Sequence, residues 1–476
     1  MLQSARAPPG PERFGRRVFE QERPAVQRMD STLLSTAEDF STLVTAPGRW
    51  GIRPTGSAKD HGRVSMSCVA RFRTKVILCG LLLCLLGGPA LAVDSSQPIK
   101  VLRPDKLGSD QLPAQRTALG KPGDYKPWLV RCGSGDLLMV AFTSEGHDDP
   151  FRENAIFWRS GDGGRSWDPR REREDIHGRE FAITCLADGT LLMSCHILPQ
   201  DQFNQAGGRK WYSKLFRSTD HGHHWSEMII GPENFPGDVN AGTDRNVLEI
   251  PGAEGSGKST VLFGVSQGLT AGHTYLWRSI DSGRTWDRSF QPDTQGWDDI
   301  DGFYSNSVTY RAASGKLLHV LRVDATGKYW ELPDVKIAGR VSNDGADRMM
   351  MWTSTDGGAS WRRYGKFGTF GAGGEMYPRF LKLADGRLLL TFTVRSSSTD
   401  GHPLGLRATV SYDDGEHWDF ETDRLVLEQK NSGPSGGGFG NTIQLDDGGL
   451  VSCYSYRGVD DKTHVEVLRW RLPVAQ

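Results

Sequence analysis

Six short segments of the sequence combine charged or polar residues with aromatic ones, and each stands at the start of an apolar run. They are Tyr125-Lys126, Arg179-Glu180, Asp244-Arg245, Asp301–Asn306, Glu375–Arg379 and Phe439–Asn441. Lysine and arginine bind anions such as carboxylates, and arginine does so with paired hydrogen bonds. Carboxylates and tyrosine act as acids, bases or nucleophiles. If the fold gathers these segments, they predict a polar pocket.

Each segment leads into a hairpin pattern, in which two apolar runs flank a turn that contains glycine. Six such hairpins occur, starting at Trp128, Phe181, Arg245, Ser307, Arg379 and Asn441. Short apolar runs separated by turn residues are typical of antiparallel strands. The six candidate segments therefore stand at the same place in six repeated units.

A second repeat, the octapeptide Ser-x-Asp-x-Gly-x-x-Trp, occurs five times, and successive copies start 58, 61, 75 and 57 residues apart. The copies are Ser160–Trp167, Ser218–Trp225, Ser279–Trp286, Ser354–Trp361 and Ser411–Trp418. We interpret it as a hairpin corner. The Asp accepts backbone N–H groups, the Gly supplies a positive φ, and the Trp packs between sheets.

Hairpins and octapeptides together predict an all-β fold, a six-bladed β-propeller with four-stranded antiparallel blades. We expect it to span residues 93–476. The early segment Ile99–Arg103 could supply the outer strand of the last blade and so close the ring.

Five octapeptides on six hairpins resemble the Asp boxes of the sialidase superfamily, whose repeats are also called BNR repeats. The resemblance covers nearly all of Val93–Gln476. It implies that the boxes lie on the face away from the substrate and serve as turns. It also implies a glycan substrate and no cofactor.

The resemblance further implies a cluster of three arginines that holds a sugar carboxylate. Lys126 stands where the first arginine is expected, Arg322 is similar in place to the second, and Arg379 to the third. Arg245, Glu180 and Tyr304 complete the candidate substrate-binding set.

The catalytic residues match the family only in part. An acid/base is implied in the loop Ser144–Asn154, where Asp148 and Asp149 are the candidates. The family's nucleophilic tyrosine should open the last blade, but that position holds Phe439-Gly440-Asn441. Glu375 and Tyr377 are the remaining catalytic candidates.

Two functions are consistent with these residues. The first is an exo-sialidase-like glycoside hydrolase that acts on terminal, possibly anionic, sugars. The second is a non-catalytic propeller that binds glycans or proteins, which the missing tyrosine and the lysine at position 126 favour. Fold alone does not decide between them.

Other ligands have little support in the sequence. Residues 93–476 hold 44 Lys+Arg and 51 Asp+Glu, a formal net charge of −7, which argues against nucleic acid. No C-x-x-C or H-E-x-x-H occurs, and His221, His223 and His224 fall inside an octapeptide turn, so we expect no metal. GAEGSGKS at Gly252–Ser259 matches a phosphate-binding loop, but a strand-like run follows where a helix is required, so we expect no nucleotide.

The segment 66–92 predicts export. Arg71, Arg73 and Lys75 precede the apolar run Val76–Leu86, and Ala90-Leu91-Ala92 completes a signal-peptide pattern. The run is about half the ~20 residues of a spanning helix, so we expect no stable membrane anchor. Residues 1–65 are expected to be a misassigned start or disordered, and the product to be periplasmic or extracellular. Four cysteines remain after the signal, and the sequence does not select a disulfide pairing.

Export makes a direct prediction. Sequencing the N-terminus of the secreted product should give a chain that starts near Val93, because cleavage is expected after Ala92. A mature chain that starts well before Val93 would contradict the signal-peptide interpretation.

Overall fold

The computed structural model describes residues 93–94, 97–143, 153–197, 212–230, 241–252, 259–267, 274–297, 302–323, 348–365, 368–395, 404–428, 430 and 438–474. The expected signal peptide, residues 1–65 and the candidate acids Asp148 and Asp149 lie outside these ranges. Within them the regular secondary structure is β-strand. No helix in the described part of the chain has the length and apolar character needed to span a membrane.

The strands form six antiparallel blades around a central channel, as predicted. Blade 1 consists, from the inner to the outer strand, of β5 (Tyr125–Arg131), β6 (Leu137–Thr143), β7 (Asn154–Ser160) and β8 (Arg171–His177). Blade 2 consists of β9 (Arg179–Cys185), β10 (Leu191–Ile197), β11 (Tyr212–Ser218) and β12 (Ser226–Ile230). Blade 3 has an interrupted inner strand and consists of β13 (Ala241–Thr243), β14 (Leu248–Ile250), β15 (Thr260–Gln267) and β16 (Thr274–Ser279).

The second half of the ring includes strands from the start of the described chain. Blade 4 consists of β17 (Ser307–Arg311), β18 (Leu317–Val323), β19 (Arg348–Ser354), β20 (Arg362–Arg363) and β21 (Thr369–Phe370). Blade 5 consists of β22 (Glu375–Lys382), β23 (Leu388–Val394), β24 (Gly405–Ser411) and β25 (Arg424–Val426), extended by β2 (Ile99–Leu102) and β3 (Gln111–Leu112). Blade 6 consists of β26 (Gly440–Gln444), β27 (Leu450–Arg457) and β28 (Thr463–Trp470), completed by β4 (Ala114–Leu119) and β1 (Val93–Asp94).

Burial explains why the middle strands are continuous apolar runs. Every residue of β6 and of β23 is buried, because each blade packs between two others on both faces. The outer strand β8 has neighbours on fewer sides and carries the polar sequence REREDIH. The hydrophobic core therefore lies between the blades.

The ring closes through a different strand from the one predicted. Ile99–Arg103 was expected to complete the last blade, but β2 pairs with β25 of blade 5. The strand that completes blade 6 is β4, which pairs with β28 along its whole length. The prediction was wrong because Ile99 and Val101 are buried against Leu425 and its neighbours in blade 5. The chain crosses to blade 6 only after that contact is made.

The octapeptides form tight corners with one hydrogen-bond pattern. In all five, the serine Oγ accepts the glycine N–H at 2.8–2.9 Å. The aspartate Oδ1 accepts the N–H of the seventh residue, also at 2.8–2.9 Å. All five glycines have φ between +77° and +89°. The roles assigned to Asp and Gly from the sequence are confirmed.

Each octapeptide glycine also packs on the preceding blade. A Cβ at Gly222 would lie 2.7 Å from Leu138, and one at Gly415 would lie 2.4 Å from Leu318. The other three glycines likewise face Leu192, Leu276 and Val451. At the four corners that face a leucine, a Cβ would come closer than 3.0 Å, so these glycines allow neighbouring blades to approach this closely.

The corners and the starts of the inner strands lie at opposite ends of the blades. Each octapeptide follows the third strand of its blade, which runs parallel to the inner strand and ends at the far side. The six candidate segments therefore surround one mouth of the channel, which we call the channel mouth. The corners surround the other end.

The remaining sequence motifs also have structural explanations. The strand β15 begins at Thr260, directly after the last residue of the GAEGSGKS motif, where a phosphate-binding loop requires a helix. His224 is exposed and pairs with Asp220 of its own octapeptide. The cysteines at 132, 185, 195 and 453 are free thiols.

Gly415 provides a test of the packing between blades, with Gly386 as its matched control. Both have positive φ, +89° and +91°, but a Cβ at Gly386 would meet nothing within 4 Å. Gly386→Ala should lower the free energy of unfolding by about 1 kcal/mol, the cost of the backbone conformation alone. Gly415→Ala should cost about 1–3 kcal/mol more, because the methyl group displaces Leu318. Equal losses in denaturant unfolding would contradict the packing role.

Candidate functional site at the channel mouth

Four non-glycine residues at the channel mouth have left-handed backbone conformations. Lys126, Glu180, Asn306 and Tyr377 have φ of 51°, 58°, 50° and 56°. Each lies within the first three residues of the inner strand of its blade or, for Asn306, directly before it. Such strained residues cluster at functional sites, where the surrounding structure holds them in place. Their repetition around one channel marks this mouth as the candidate site.

A β-bulge produces this conformation in blades 1 and 5. Pairing shifts register between Tyr125 and Trp128 in blade 1, and between Met376 and Arg379 in blade 5. In both, a proline follows the left-handed residue, and a proline has no N–H to give to the ladder. Lys126 and Tyr377 therefore occupy equivalent positions in two blades.

Glu180 is the centre of a buried ion-pair network. Its carboxylate pairs with Lys126 Nζ through one oxygen and with Arg245 Nη2 through the other. Arg245 Nη1 also donates to the Glu180 carbonyl at 2.8 Å, and Arg245 Nη2 donates to Asn306 Oδ1. The three charged side chains are 4–14% exposed. The network joins residues from blades 1, 2, 3 and 4.

Aromatic rings surround the Lys126 ammonium group. Its Nζ lies 3.9 Å from the ring centre of Phe439, 5.1 Å from that of Tyr125 and 5.5 Å from that of Tyr377. Tyr377 and Phe439 pack with ring centres 4.3 Å apart. A cation within about 6 Å of aromatic ring centres is attracted to them. The channel mouth thus combines charge with apolar surface.

Tyr377 has a cationic partner in the neighbouring blade. Arg322 Nη1 donates a hydrogen bond to Tyr377 Oη at 2.7 Å. A guanidinium group at this distance stabilises negative charge that develops on a phenolic oxygen. The pair joins β18 of blade 4 to the bulge of blade 5.

The charges at the mouth act on one another. Burial, and then the charges of Arg179, Arg395, Arg245 and Arg322, lower the pKa of Lys126 well below its ordinary value. A second carboxyl lies nearby, because Glu153 Oε1 is 3.5 Å from Arg179 Nε.

Burial raises the pKa of Glu153, against the opposing charges of Arg179 and Lys126. A carboxyl group with a raised pKa can hold a proton that a reaction needs.

Arg379 is buried beside the network. Its guanidinium group is 4.3 Å from the centre of the Trp128 ring and donates to the Pro378 carbonyl. Burial, followed by the charge of Arg245, lowers its pKa well below the ordinary value. Arg379 therefore shares the channel with Arg245, but its contacts are with the wall.

Two candidates from the sequence lie elsewhere. Tyr304 is completely buried between blades, and its hydroxyl accepts the Trp361 Nε1–H at 3.0 Å. Glu375 is also completely buried and pairs with Arg424. Neither side chain can reach a ligand in the channel, so both serve the interior of the fold.

The structure adds residues that the sequence analysis did not select. Glu153 lies near the end of the segment Ser144–Asn154, for which the sequence indicates Asp148 and Asp149 as acids. Arg395 directly follows β23, and its guanidinium is 5.3 Å from the Phe439 ring centre. The signal that could have identified them is position, because both flank strands at the same end of a blade as the candidate segments.

The described residues contain no group of three or more His, Cys, Asp or Glu side chains that could hold a metal ion. The chemistry that the described part of the mouth offers is that of arginine, lysine, carboxyl and phenol groups.

Comparisons with known proteins bear on the fold. No protein-family model matches the sequence. No curated protein matches it either. Among solved structures, a protein of unknown function from Dyadobacter fermentans is 18% identical, covers 81% of this chain and 100% of its own, and has a TM-score of 0.53. The chain has the six-bladed fold that its resemblance to sialidases implies.

Two glycan-processing enzymes match less closely. An intramolecular trans-sialidase from Ruminococcus gnavus is 13% identical over 74% of this chain and 96% of its own, with a TM-score of 0.49. An α-L-arabinofuranosidase from Fusarium graminearum is 12% identical over 79% and 97%, with a TM-score of 0.47. At these values neither match carries an argument about activity.

The network around Glu180 predicts a large loss of stability when its anion is removed. Glu180→Ala should lower the free energy of unfolding by about 3 kcal/mol, because Lys126 and Arg245 would stay buried without their carboxylate. Denaturant unfolding measures this loss. Arg471→Ala is the control, since its pair with Asp447 is 61% and 50% exposed and should contribute less than about 1 kcal/mol. A Glu180→Ala loss as small as the control's would contradict the network.

Proposed function

We propose that this chain is an exported glycoside hydrolase that binds a terminal, anionic sugar of a glycan at the channel mouth. One observation carries the proposal. Tyr377 accepts a hydrogen bond from Arg322 at the same mouth where Lys126 and Arg245 are held together. This combines a potential nucleophile with cations that can hold an anion.

The binding part of the proposal rests on charge and shape. Lys126 and Arg245 approach Glu180 from two blades, and an anionic sugar substituent would interact with the same two cations. The rings of Tyr125, Tyr377 and Phe439 provide apolar surface beside them. Sites that join apolar walls with a few convergent polar groups are typical of small-ligand binding.

The catalytic part rests on two groups. Tyr377 would give its hydroxyl proton to water, and its oxygen would bond to the anomeric carbon as the glycosidic C–O bond breaks, with Arg322 stabilising the phenolate. The leaving oxygen would take a proton from the general acid, and water would then cleave the sugar–Tyr377 bond and restore both groups. A phenol suits an anionic sugar, because a carboxylate nucleophile would be repelled by the substrate's charge. Glu153 supports the role of general acid, since its raised pKa favours the protonated form. Asp148 and Asp149 remain candidates for the same role.

The second candidate function is glycan binding without turnover. It is favoured by Phe439, which opens the last blade and packs over Lys126 where the family has its tyrosine. It is also favoured by Glu375, which pairs with Arg424 inside the fold. Both functions place the glycan at the same mouth, so they differ only in whether product is released.

Turnover of a fluorogenic sialoside, within a broader panel of glycosides, decides between them. Tyr377→Phe should remove turnover while binding remains. Glu153→Gln should lower kcat by about 10²- to 10⁴-fold, because it removes a proton donor. The control is Tyr310→Phe, since the Tyr310 hydroxyl bonds Asp414 at the opposite end of the blades.

Product release by the wild type, and its loss in the two variants but not in Tyr310→Phe, supports hydrolysis. Glycan-array binding without product from any glycoside would replace the proposal with the second candidate. Full activity in Tyr377→Phe would exclude Tyr377 as the nucleophile.

A further inference from the structure

Directly beneath the channel mouth, Asp244 joins blade 3 to blade 4. It precedes Arg245, and its backbone N–H donates to the Gly264 carbonyl of β15 at 2.9 Å. Its Oδ1 accepts the Ser307 hydroxyl, and its Oδ2 lies 3.2 Å from Thr309 Oγ1. Ser307 and Thr309 both belong to β17 of blade 4. Asp244 is therefore a buried contact between two inner strands.

The contact continues into blade 4 as a chain of hydrogen bonds. Thr309 Oγ1 lies 2.9 Å from His319 Nδ1, and His319 Nε2 lies 3.1 Å from the Phe303 carbonyl oxygen. Asp244 and His319 have side chains that are 3% and 0% exposed. Because this hydrogen-bond chain is buried away from bulk water, its polar atoms need hydrogen-bond partners inside the protein.

The number of donors and acceptors in this hydrogen-bond chain determines which atom carries each hydrogen. The Phe303 carbonyl can only accept, so His319 Nε2 must carry a hydrogen. A neutral imidazole then has a bare Nδ1, which accepts the single hydroxyl hydrogen of Thr309. Nothing is left for Thr309 to give to Asp244, so the contact with Oδ2 needs a hydrogen on the carboxyl group itself.

The alternative places the same proton on the other end. An imidazolium at His319 would donate to Thr309, which could then donate to an ionised Asp244. Both arrangements hold one proton more than an ionised carboxylate with a neutral imidazole. That third state leaves one of the contacts without a hydrogen.

We propose that the hydrogen-bond chain of Asp244, Thr309 and His319 holds one buried proton, and that Asp244 carries it. This proton completes the hydrogen bonds that hold blade 3 against blade 4, and the contact positions Arg245 and Asn306 at the channel mouth. Neighbouring hydrogen bonds place this contact close to these residues. The Arg245 N–H donates to the Ser307 carbonyl at 2.8 Å. Asn246 exchanges two hydrogen bonds with the backbone of Thr309, at 3.0 and 3.1 Å. Asp244 is thus a positioning residue.

The electrostatics agree with this placement of the proton. Burial raises the pKa of Asp244 to about 7, although the hydrogen bond from the Ser307 hydroxyl opposes the shift. Burial lowers the pKa of His319 to about 3, so its neutral form is favoured. A carboxyl with a raised pKa keeps its proton at lower pH and loses it as pH rises through that value. The hydrogen bond between Asp244 and Thr309 is therefore fully formed in mildly acid solution and is lost as pH rises above neutral.

The other titratable groups near the chain do not replace this proton. Tyr304 packs edge-on against His319, with ring centres 5.0 Å apart, and burial raises its pKa well above the ordinary value. Arg245 directs its guanidinium group to Glu180 and Asn306. Gly264, the contact on β15, has no side chain. The proton therefore belongs to the hydrogen-bond chain of Asp244, Thr309 and His319.

The first experiment needs no ligand. Infrared spectra of the full chain at pH 6 should show a protonated carboxyl group that Asp244→Asn removes and that the exposed Asp110→Asn leaves unchanged. In the wild type the signal should disappear as pH rises through about 7. Nitrogen NMR of labelled histidine should show His319 neutral, with its hydrogen on Nε2. An ionised Asp244 or an imidazolium at His319 at pH 6 would overturn the proposal.

The second experiment measures positioning at the site and rests on the proposed function. The probe is N-acetylneuraminic acid. The affinity of the wild type for it should weaken by up to about tenfold for each pH unit above about 7, because the fraction of molecules with a protonated Asp244 falls. Asp244→Asn should lose less affinity than the wild type between pH 6 and 8.5, because its amide donates to Thr309 at every pH. Equal pH dependence in both proteins would overturn the positioning role.

The two proposals fail separately. A protonated carboxyl without any sugar binding would refute the glycan function and leave the buried proton in place. Sugar binding with an ionised Asp244 at pH 6 would refute the buried proton and leave the glycan function in place. If Asp244→Asn does not fold, the infrared titration is repeated on Glu153→Gln, which removes the carboxyl at the mouth whose pKa is also raised. A protonated carboxyl that persists there and disappears near pH 7 supports the proposal, and its absence overturns it.

Discussion

The close approach of each octapeptide glycine to the preceding blade is the contact on which the rest of the structure depends. The corner has a positive φ, a leucine leaves no room for a Cβ at four of the five glycines, and Val451 lies 3.3 Å from a Cβ at the fifth, Gly164. Five of these contacts repeat around the ring, and the one at Gly164 reaches Val451 of blade 6 across the closure. Because blades are rigid sheets, spacing set at one end also determines where the inner strands begin at the other.

At that other end the fold places side chains that could not be brought together locally. Lys126 and Glu180 come from neighbouring blades, and Arg322 meets Tyr377 across another blade boundary. The backbone takes left-handed conformations at Lys126, Glu180 and Tyr377, which cost energy unless the surrounding structure compensates for it. A buried charge needs its partner in position before burial is tolerable. The site therefore depends on the closed ring, which brings residues from different blades together.

The sequence predicted the fold well because its signals are local and repeated. An octapeptide corner is determined by its own Ser, Asp and Gly, and five copies exclude coincidence. Ring closure was predicted less well. Both β2 and β4 are short early strands, and only their long-range partners decide which blade each completes.

The site was predictable in location but not in all its members. Strand starts identified Lys126, Glu180 and Arg245, since position in a repeat unit is visible in sequence. Tyr304 and Glu375 occupy equivalent places, yet their side chains turn into the interior. Which way a side chain points at the start of a strand depends on the local backbone and on the neighbouring blade. Glu153 was overlooked because its importance comes from burial and from Arg179 rather than from its residue type.

The central claim is that the channel mouth binds a terminal sugar. A crystal structure of the Tyr377→Phe variant, soaked with the glycoside that binds best, tests it most directly. The account predicts a sugar ring against Phe439, with its anionic group within hydrogen-bond distance of Lys126 and Arg245. A sugar bound at the octapeptide end, or at the mouth with its charge directed away from both cations, would contradict it.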